Sequence, residues 1–524
     1  MRSREQRLLS RSGFPPVPAI FYSYNNFFNL LLLLTPRRIA GSAPTRIVNW
    51  GTSNKCNRWR VDVKENRNLK LISAKKTLFS ISRIIFFIVL ITLIPATWIL
   101  WQKLEGERPV VSWDLPQFIT PDNTHTIDIS DKKSGIRSVQ VFLIQQTKEV
   151  MLVDQMIEPA IVHDLSVPLK IDARKHRLAD GAATVRIVVR DMSWNRWFHG
   201  NKTETARDVT IDSKPPGISV LTRFHNINQG GAGLVIYRLS EPCSFHGVQV
   251  GEKIFQGQSG LFKDPAIMAC LIALDYRQGP GTELFVLARD MAENASRSGF
   301  PVHILKKTFK TDSIRITDEF LNQNLSGFNI ETDSNTPNPQ LDRFLKINRE
   351  YRTTNTRQLL TFNEDSSPAI LWERGFLRMP NAAPRAGFAD HRIYLYQEKE
   401  IDRQVHLGVD LASVRQAPIP AANTGHVIKT EDIGIYGNTV VIDHGLGLFS
   451  MYSHLSRFSV QPGQSVKKGD IIGYTGMTGL AAGDHLHFAM AIRDVFVNPI
   501  EWWDESWIKN NITSKIQDVH LLTP

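Results

Sequence analysis

The longest apolar run without a charge is Ile84 to Trp101, eighteen residues reading IIFFIVLITLIPATWILW. Wound as a helix it just crosses the hydrocarbon core of a bilayer. Lys75, Lys76 and Arg83 precede it, Trp98 and Trp101 fall where an interfacial aromatic belt lies, and Pro95 near the far end is tolerated as a kink. The run is longer than a signal-peptide core and no small-x-small cleavage site follows, so the pattern predicts a retained anchor over 84–101. An earlier run, Ile20 to Leu34, carries Asn25, Asn26 and Asn29 and is too short and polar to span.

Beyond the helix the period shortens. Residues 105–308 hold short alternating or apolar runs, such as Ser138 to Ile144 and Thr184 to Val189, separated by turn residues. One fragment recurs: VVRDMSWN at Val188 to Asn195 and LARDMAEN at Leu287 to Asn294, 99 residues later. A period near that length fits tandem immunoglobulin-like β-sandwich modules, placed at 102–211 and 212–308. The stretch Asp131 to Val141, DKKSGIRSVQV, resembles the opening of bacterial immunoglobulin-like modules. The repeated Arg-Asp pair reads as a strand end turning into a loop and not as a site.

Helical signals follow at Thr317-Asp318-Glu319 and at Asn338-Pro339, the second with an apolar stripe of Leu341, Phe344, Leu345 and Tyr351. Residues 309–374 are therefore expected to form a short helical linker region. From Gly375 the texture changes to glycine-punctuated strands, with turns at Gly437-Asn438, Pro462-Gly463, Lys468-Gly469 and Gly483-Asp484. The expectation is an antiparallel β-domain over 375–505 and a tail over 506–524. The fold class is mainly β.

Charge sharpens the topology. The chain carries +11, but residues 1–82 alone hold fifteen Lys and Arg against three Asp and Glu, so the remainder is close to neutral at −1. A basic segment directly before an apolar helix keeps that side in the cytoplasm and needs no nucleic-acid partner. Residues 1–83 are thus a cytoplasmic segment and 102–524 lie outside. Of three cysteines, Cys56 falls inside and Cys243 and Cys270 outside, where a disulfide is permitted but not required. Without a CxxC motif, any metal must be held by His and carboxylate.

Histidines concentrate between His391 and His487, and three motifs stand out: His406-Leu-Gly-Val-Asp410, Tyr452-Ser-His454-Leu455 and His485-Leu-His487-Phe488. On a strand, His485 and His487 project from one face. His406 and Asp410 add a nitrogen and an oxygen donor, and one residue of the His-x-His pair completes three protein ligands plus water, the donor set of an open catalytic Zn²⁺ site. The remaining histidines can bond the attacking water and the oxyanion formed at a peptide carbonyl.

From about Gly387 to Pro499, HLGVDLA, VVIDHGLGLFSMYSHLSRFSVQPGQSVKKGDIIGYTGMTGLAAGDHLHFAM and VNPIEWW together resemble the M23 family of LytM/lysostaphin-type zinc metallopeptidases. The resemblance covers roughly a fifth of the chain. It implies one Zn²⁺ per chain held by His406, Asp410 and His487, with His454 and His485 as the catalytic pair. It also implies hydrolysis of peptide bonds in peptidoglycan stem peptides or cross-links; with the anchor helix, the expectation is an enzyme held in the bacterial inner membrane with its catalytic domain periplasmic or otherwise extracytoplasmic. A non-catalytic wall-binding or regulatory scaffold is the alternative, because degenerate members lack ligands; a protease of secreted proteins is a third. All five motif positions are intact here. His391, Arg392 and Tyr394, just before the first ligand, and His444 in its turn are further candidates for the substrate cleft, whereas His426 reads as a surface strand residue.

Overall fold

The computed structural model describes residues 75–522, apart from 121–122, 158–160, 332, 334 and 362–365. The expected polar-interrupted run at Ile20 to Leu34, Cys56 and most of the basic segment lie outside the described residues. A helix runs from Lys75 to Lys103 with Pro95 inside it. Its part from Ile81 to Lys103 is long and apolar enough to cross a membrane, and none of that span is buried against protein. Thr92 and Thr97 fold their hydroxyls back onto the carbonyls of Ile88 and Leu93 at 2.9 and 2.8 Å, so neither leaves a polar group open along the apolar surface.

Two β-modules follow. In the first, a three-stranded sheet (Val110–Trp113, Thr124–Ser130, Asp164–Lys170) accompanies a five-stranded sheet built around Ile136–Gln145 and Gly181–Asp191. Alternation decides the packing: in Thr124–Ser130 only Ile127 and Ile129 are buried, and they join Val139, Val141, Leu143, Val185 and Ile187 in a core confined to this module. The second module pairs Ala232–Leu239 with Ile267–Ala273 and Ile218–Val220, beside a four-stranded sheet containing Cys243–Val250 and Leu284–Asp290. The recurring Arg-Asp fragments are equivalent in place, since Asp191 and Asp290 each end a long strand. Cys243 and Cys270 are both free; Cys270 is buried and directs Sγ to the Phe255 carbonyl at 3.1 Å.

The C-terminal domain centres on an eight-stranded sheet in which Leu486–Ile492 lies between Val409–Ala412 and Leu448–Ser453. Every residue of Leu448–Ser453 and Leu486–Ile492 is buried, which explains why these strands read as continuous apolar runs instead of alternating. The region upstream is not a free linker. Its strand Thr311–Ile316 pairs in parallel with Asp390–Tyr396, extending a sheet of the C-terminal domain. Both helix signals are realised: Thr317 caps Asp318–Asn324 by accepting from Phe320 N, and Asn338 caps Pro339–Lys346 by accepting from Leu341 N.

The second module and the C-terminal domain share one continuous core, running from Ile227 to Val519. Glu501, on the short helix Pro499–Trp503, is buried between them and accepts from Asn228 Nδ2 at 2.6 Å and Ala232 N at 3.0 Å. Residues past Glu505, read from sequence as a tail, are helical through Leu522, and Lys515 Nζ donates to the Leu234 carbonyl at 3.1 Å.

Burial pushes the Glu501 carboxyl up to about 7, against the two donors that favour its ionised form. A group raised in the folded state contributes stability that is complete below its unfolded value and is lost as pH rises through the folded value. The ionised form therefore weakens this junction by roughly 3 kcal/mol at most. We expect the thermal midpoint of Glu501→Gln, measured relative to the parent chain, to move in the variant's favour between pH 5 and pH 8. A constant difference over that range would show that Glu501 does not titrate at the junction.

Candidate metal centre

Antiparallel pairing puts Asp410 directly opposite His487, and on the other side of the same strand His487 faces Ser453, the residue before His454. His406 ends the preceding strand Lys399–His406, which belongs to the sheet of Asp390–Tyr396, and the Leu407-Gly408 step turns the chain so that His406 and Asp410 converge. His406 Nε2, Asp410 Oδ1 and His487 Nδ1 lie 2.8 to 2.9 Å from one another. All three residues are buried.

The atoms behind this convergence fix what faces inward. His406 Nδ1 meets the Gly387 carbonyl at 2.8 Å, so that nitrogen carries the proton and Nε2 presents a lone pair. Arg392 Nη2 donates to Asp410 Oδ2 at 2.9 Å, which leaves Oδ1 for the centre. Burial works against ionisation of Asp410, but His406 and His487 outweigh it and hold the carboxyl well below the usual carboxylate range. Burial pushes His487 down to about 4, so its ring is neutral at neutral pH. A carboxylate oxygen and two ring nitrogens thus meet within 2.9 Å of one another, a crowding that shared protons relieve and that a cation at their centre would relieve with all three as ligands. The donor set, two imidazoles and a carboxylate, suits a metal ion.

Two further histidines stand beside it. His454 sends Nδ1 to the Thr478 carbonyl at 2.8 Å and His485 sends Nδ1 to the Gly483 carbonyl at 2.7 Å, so both turn Nε2 away from these anchors; their ring centroids are 4.8 Å apart. Burial, followed by the neighbouring His485 and His487, pushes His454 down to about 3. His454 also has φ of +65°, the left-handed region that a non-glycine residue occupies only when its surroundings enforce it. Its N–H donates to the Tyr436 carbonyl at 2.9 Å. The loop bearing Thr478 is locked to the Tyr436 loop at Gly479, where a Cβ would sit 2.4 Å from Gly437 N.

The five histidine and aspartate side chains open into a cavity of about 400 Å³. Arg392 and Tyr394 line it, as expected. His391 is outside it, exposed and packed edge-on to Tyr276, and His444 is fully buried elsewhere, bonding Thr424 O and Ser450 Oγ. His426 is exposed on its strand. Sequence reasoning missed the opposite wall: Ile314, Phe320, Phe344 and Arg352 come from the region read as a linker, and Arg385 from the strand Ala383–Ala386. The alternation in Asp312 to Ile316 could have signalled that strand, but nothing local placed it over the site.

Residues 404–499 match peptidase family M23. Over 97 residues the chain is 38% identical to the DD-carboxypeptidase/endopeptidase Mpg of Neisseria meningitidis serogroup B, a match covering 18% of this chain and 22% of that protein. Over 96 residues it is 38% identical to the peptidoglycan DD-endopeptidase ShyA of Vibrio cholerae, with the same shares. The matched segment thus spans about a fifth of the length of these curated relatives. Among solved structures, the catalytic domain of the antimicrobial peptidase lysostaphin from Staphylococcus simulans is 26% identical, covering 25% of this chain and 98% of that one with a TM-score of 0.22.

Gly408 supplies a specific test of the centre. A Cβ there would lie 2.6 Å from His487 Cε1 and 2.8 Å from the Phe488 carbonyl, so alanine must push the imidazole out of line. Gly408→Ala is expected to lower retained metal at least tenfold after dialysis, by metal analysis, while the far-UV spectrum stays that of the parent. Full metal retention would show that His487 is not held by this contact.

Proposed function

We propose that this chain, whose C-terminal domain is an M23 peptidase domain, is a zinc-dependent endopeptidase that hydrolyses peptide bonds in peptidoglycan stem peptides or cross-links. The observation that carries the reading is the convergence of His406 Nε2, Asp410 Oδ1 and His487 Nδ1 beside two histidines with inward-facing Nε2 atoms, all within the family-matched segment. The substrate class rests on the relatives, which include a peptidoglycan DD-endopeptidase.

His406, Asp410 and His487 would hold the ion. Zn²⁺, when bound, supplies Lewis-acid polarisation of the scissile carbonyl and makes a nucleophile available near neutral pH. Arg392 keeps Asp410 Oδ1 aimed at the ion by fixing Oδ2. With Nδ1 committed to a carbonyl, His454 and His485 each offer Nε2 to the reacting atoms. One takes a proton at Nε2 from the attacking water, and the protonated ring then donates to the oxyanion or the departing amine. Arg385 and Arg352 place positive charge in the cavity, suited to carboxylates along a stem peptide. Phe320 and Phe344 close it with apolar surface.

We read the helix Lys75–Lys103 as a single inner-membrane anchor, N-terminus in the cytoplasm, and the two β-modules as immunoglobulin-like spacers that carry the peptidase domain outside. The direct test is digestion of purified peptidoglycan by a soluble version beginning at residue 102, loaded with one Zn²⁺, with mass analysis of the products. Release of cross-link or stem-peptide cleavage products is expected; intact muropeptides throughout would overturn the reading.

Two further outcomes are expected. His454→Ala and His485→Ala should each lower turnover of a cross-linked muropeptide by ~10² to 10³ with zinc content near the parent's, whereas His487→Ala and Asp410→Ala should lose most of the zinc. Zinc loss in His454→Ala or His485→Ala would reassign that residue to the metal. A reporter fused after residue 110 should be active only outside the cytoplasm, and cytoplasmic activity of that fusion would reverse the topology.

A further inference from the structure

Where the long helix meets the first module, three carboxylates from distant parts of the chain come together. Glu105 follows the helix, Asp131 opens the turn after Thr124–Ser130, and Asp191 ends Gly181–Asp191; each is at most 5% exposed. One oxygen from each lies within 4.8 Å of the others. Oxygen ligands about 2.4 Å from a common Ca²⁺ ion are at most about 4.8 Å apart, so the three oxygens are close enough to share one coordination sphere.

Hydrogen bonds account for part of this cluster. Asp131 Oδ1 accepts from Lys133 N and Gly135 N, and Asp191 Oδ1 accepts from Ser193 N and Asn201 N, as a turn-forming aspartate does. Glu105 is different. Its Oε1 accepts from Ser134 N at 2.7 Å, but its Oε2 is buried with no partner. The Ser134 hydroxyl, on a residue 1% exposed, is turned toward the same carboxylate without reaching hydrogen-bond geometry and has no partner either. Among the described residues no Lys or Arg forms an ion pair with any of the three acids, and Lys103 spends its ammonium on the carbonyls of Ser134 and Met192. Backbone N–H donors serve Asp131 and Asp191, whereas the buried Glu105 Oε2 is left needing a proton or a cation.

The same placement recurs one module later, where Asp212, Glu241 and Asp290 cluster. There Asn294 Nδ2 ties the Asp212 carbonyl to Asp290 Oδ2, just as Asn201 Nδ2 ties the Glu105 carbonyl to Asp191 Oδ2. Asp212 and Glu241 are only half-buried, so that second cluster is left unassigned.

We infer that Glu105, Asp131 and Asp191, with the Ser134 hydroxyl, form a binding site for a hard divalent cation of the Ca²⁺ class, separate from the peptidase centre. Glu105 sits two residues past the helix, so the ion fastens the module to the end of that helix. Oxygen-only ligation distinguishes it from the imidazole-bearing site.

The test is calorimetric titration of the zinc-loaded full chain in detergent with CaCl₂, beside Glu105→Gln. This variant keeps an oxygen acceptor for Ser134 N while replacing the second, charged oxygen by an amide NH2 that cannot ligate a cation. The parent is expected to bind Ca²⁺ and to show a raised thermal midpoint in millimolar CaCl₂. Glu105→Gln is expected to lose one equivalent or bind it at least tenfold more weakly, with zinc content and muropeptide turnover unchanged. Asp131→Asn is the second variant, with the same expected loss. If the parent takes up no Ca²⁺, or both variants bind like the parent, the site does not exist and Glu105 is held protonated instead.

Discussion

The register between Val409–Ala412 and Leu486–Ile492 is the constraint on which the site depends. Side chains alternate along a strand, so a slip of one residue would send His487 to the opposite face and separate it from Asp410. Burial on both faces fixes the register, because either face would then present the wrong side chains to a packed interior. Once His487 is set, the rest follows at short range. His485 shares its face two residues earlier, and His454 lies just past Ser453, the partner of His487 on the next strand. The convergence of these side chains is a by-product of sheet pairing, and the strained backbone at His454 is tolerated because the surrounding ladder leaves it little alternative.

Around this ladder the molecule adds walls that do not belong to the matched segment. Thr311–Ile316 joins the sheet by parallel pairing, and the helices after it contribute Phe320, Phe344 and Arg352 to the cavity. These side chains set the width and charge of the cavity, while the candidate metal ligands come from within residues 404–499. The division is physically sensible: the converging side chains demand sub-ångström placement from rigid strands, whereas the outer walls shape the cavity without touching that placement.

How far the sequence discloses this depends on range. The motifs at His406, His454 and His485 are local, and strand alternation alone puts His485 and His487 together. Helix starts at Thr317 and Asn338 are equally local, each resting on one capping side chain. What escapes is anything decided by contacts across long stretches of chain. His444 resembles its neighbours in composition but is consumed by core hydrogen bonds to Thr424 and Ser450. The strand Thr311–Ile316 finds its partner some eighty residues on, and Glu501 is met by Asn228 across most of the described chain. The repeated Arg-Asp fragment was visible as a turn, but not that two other acids would meet it.

The division of the interior into two cores has a consequence for how such a chain can be inherited. The first module keeps its hydrophobic core to itself, whereas the second shares one with the peptidase domain through Glu501, Lys515 and the closing helices. A recombination event that breaks the chain just before the peptidase domain would expose a half-finished interior on both products. A break in the short connection between Ile211 and Ile218 would cut no core. The unit that can be shuffled between genes without collapse is therefore not the peptidase domain alone but that domain together with the β-module in front of it.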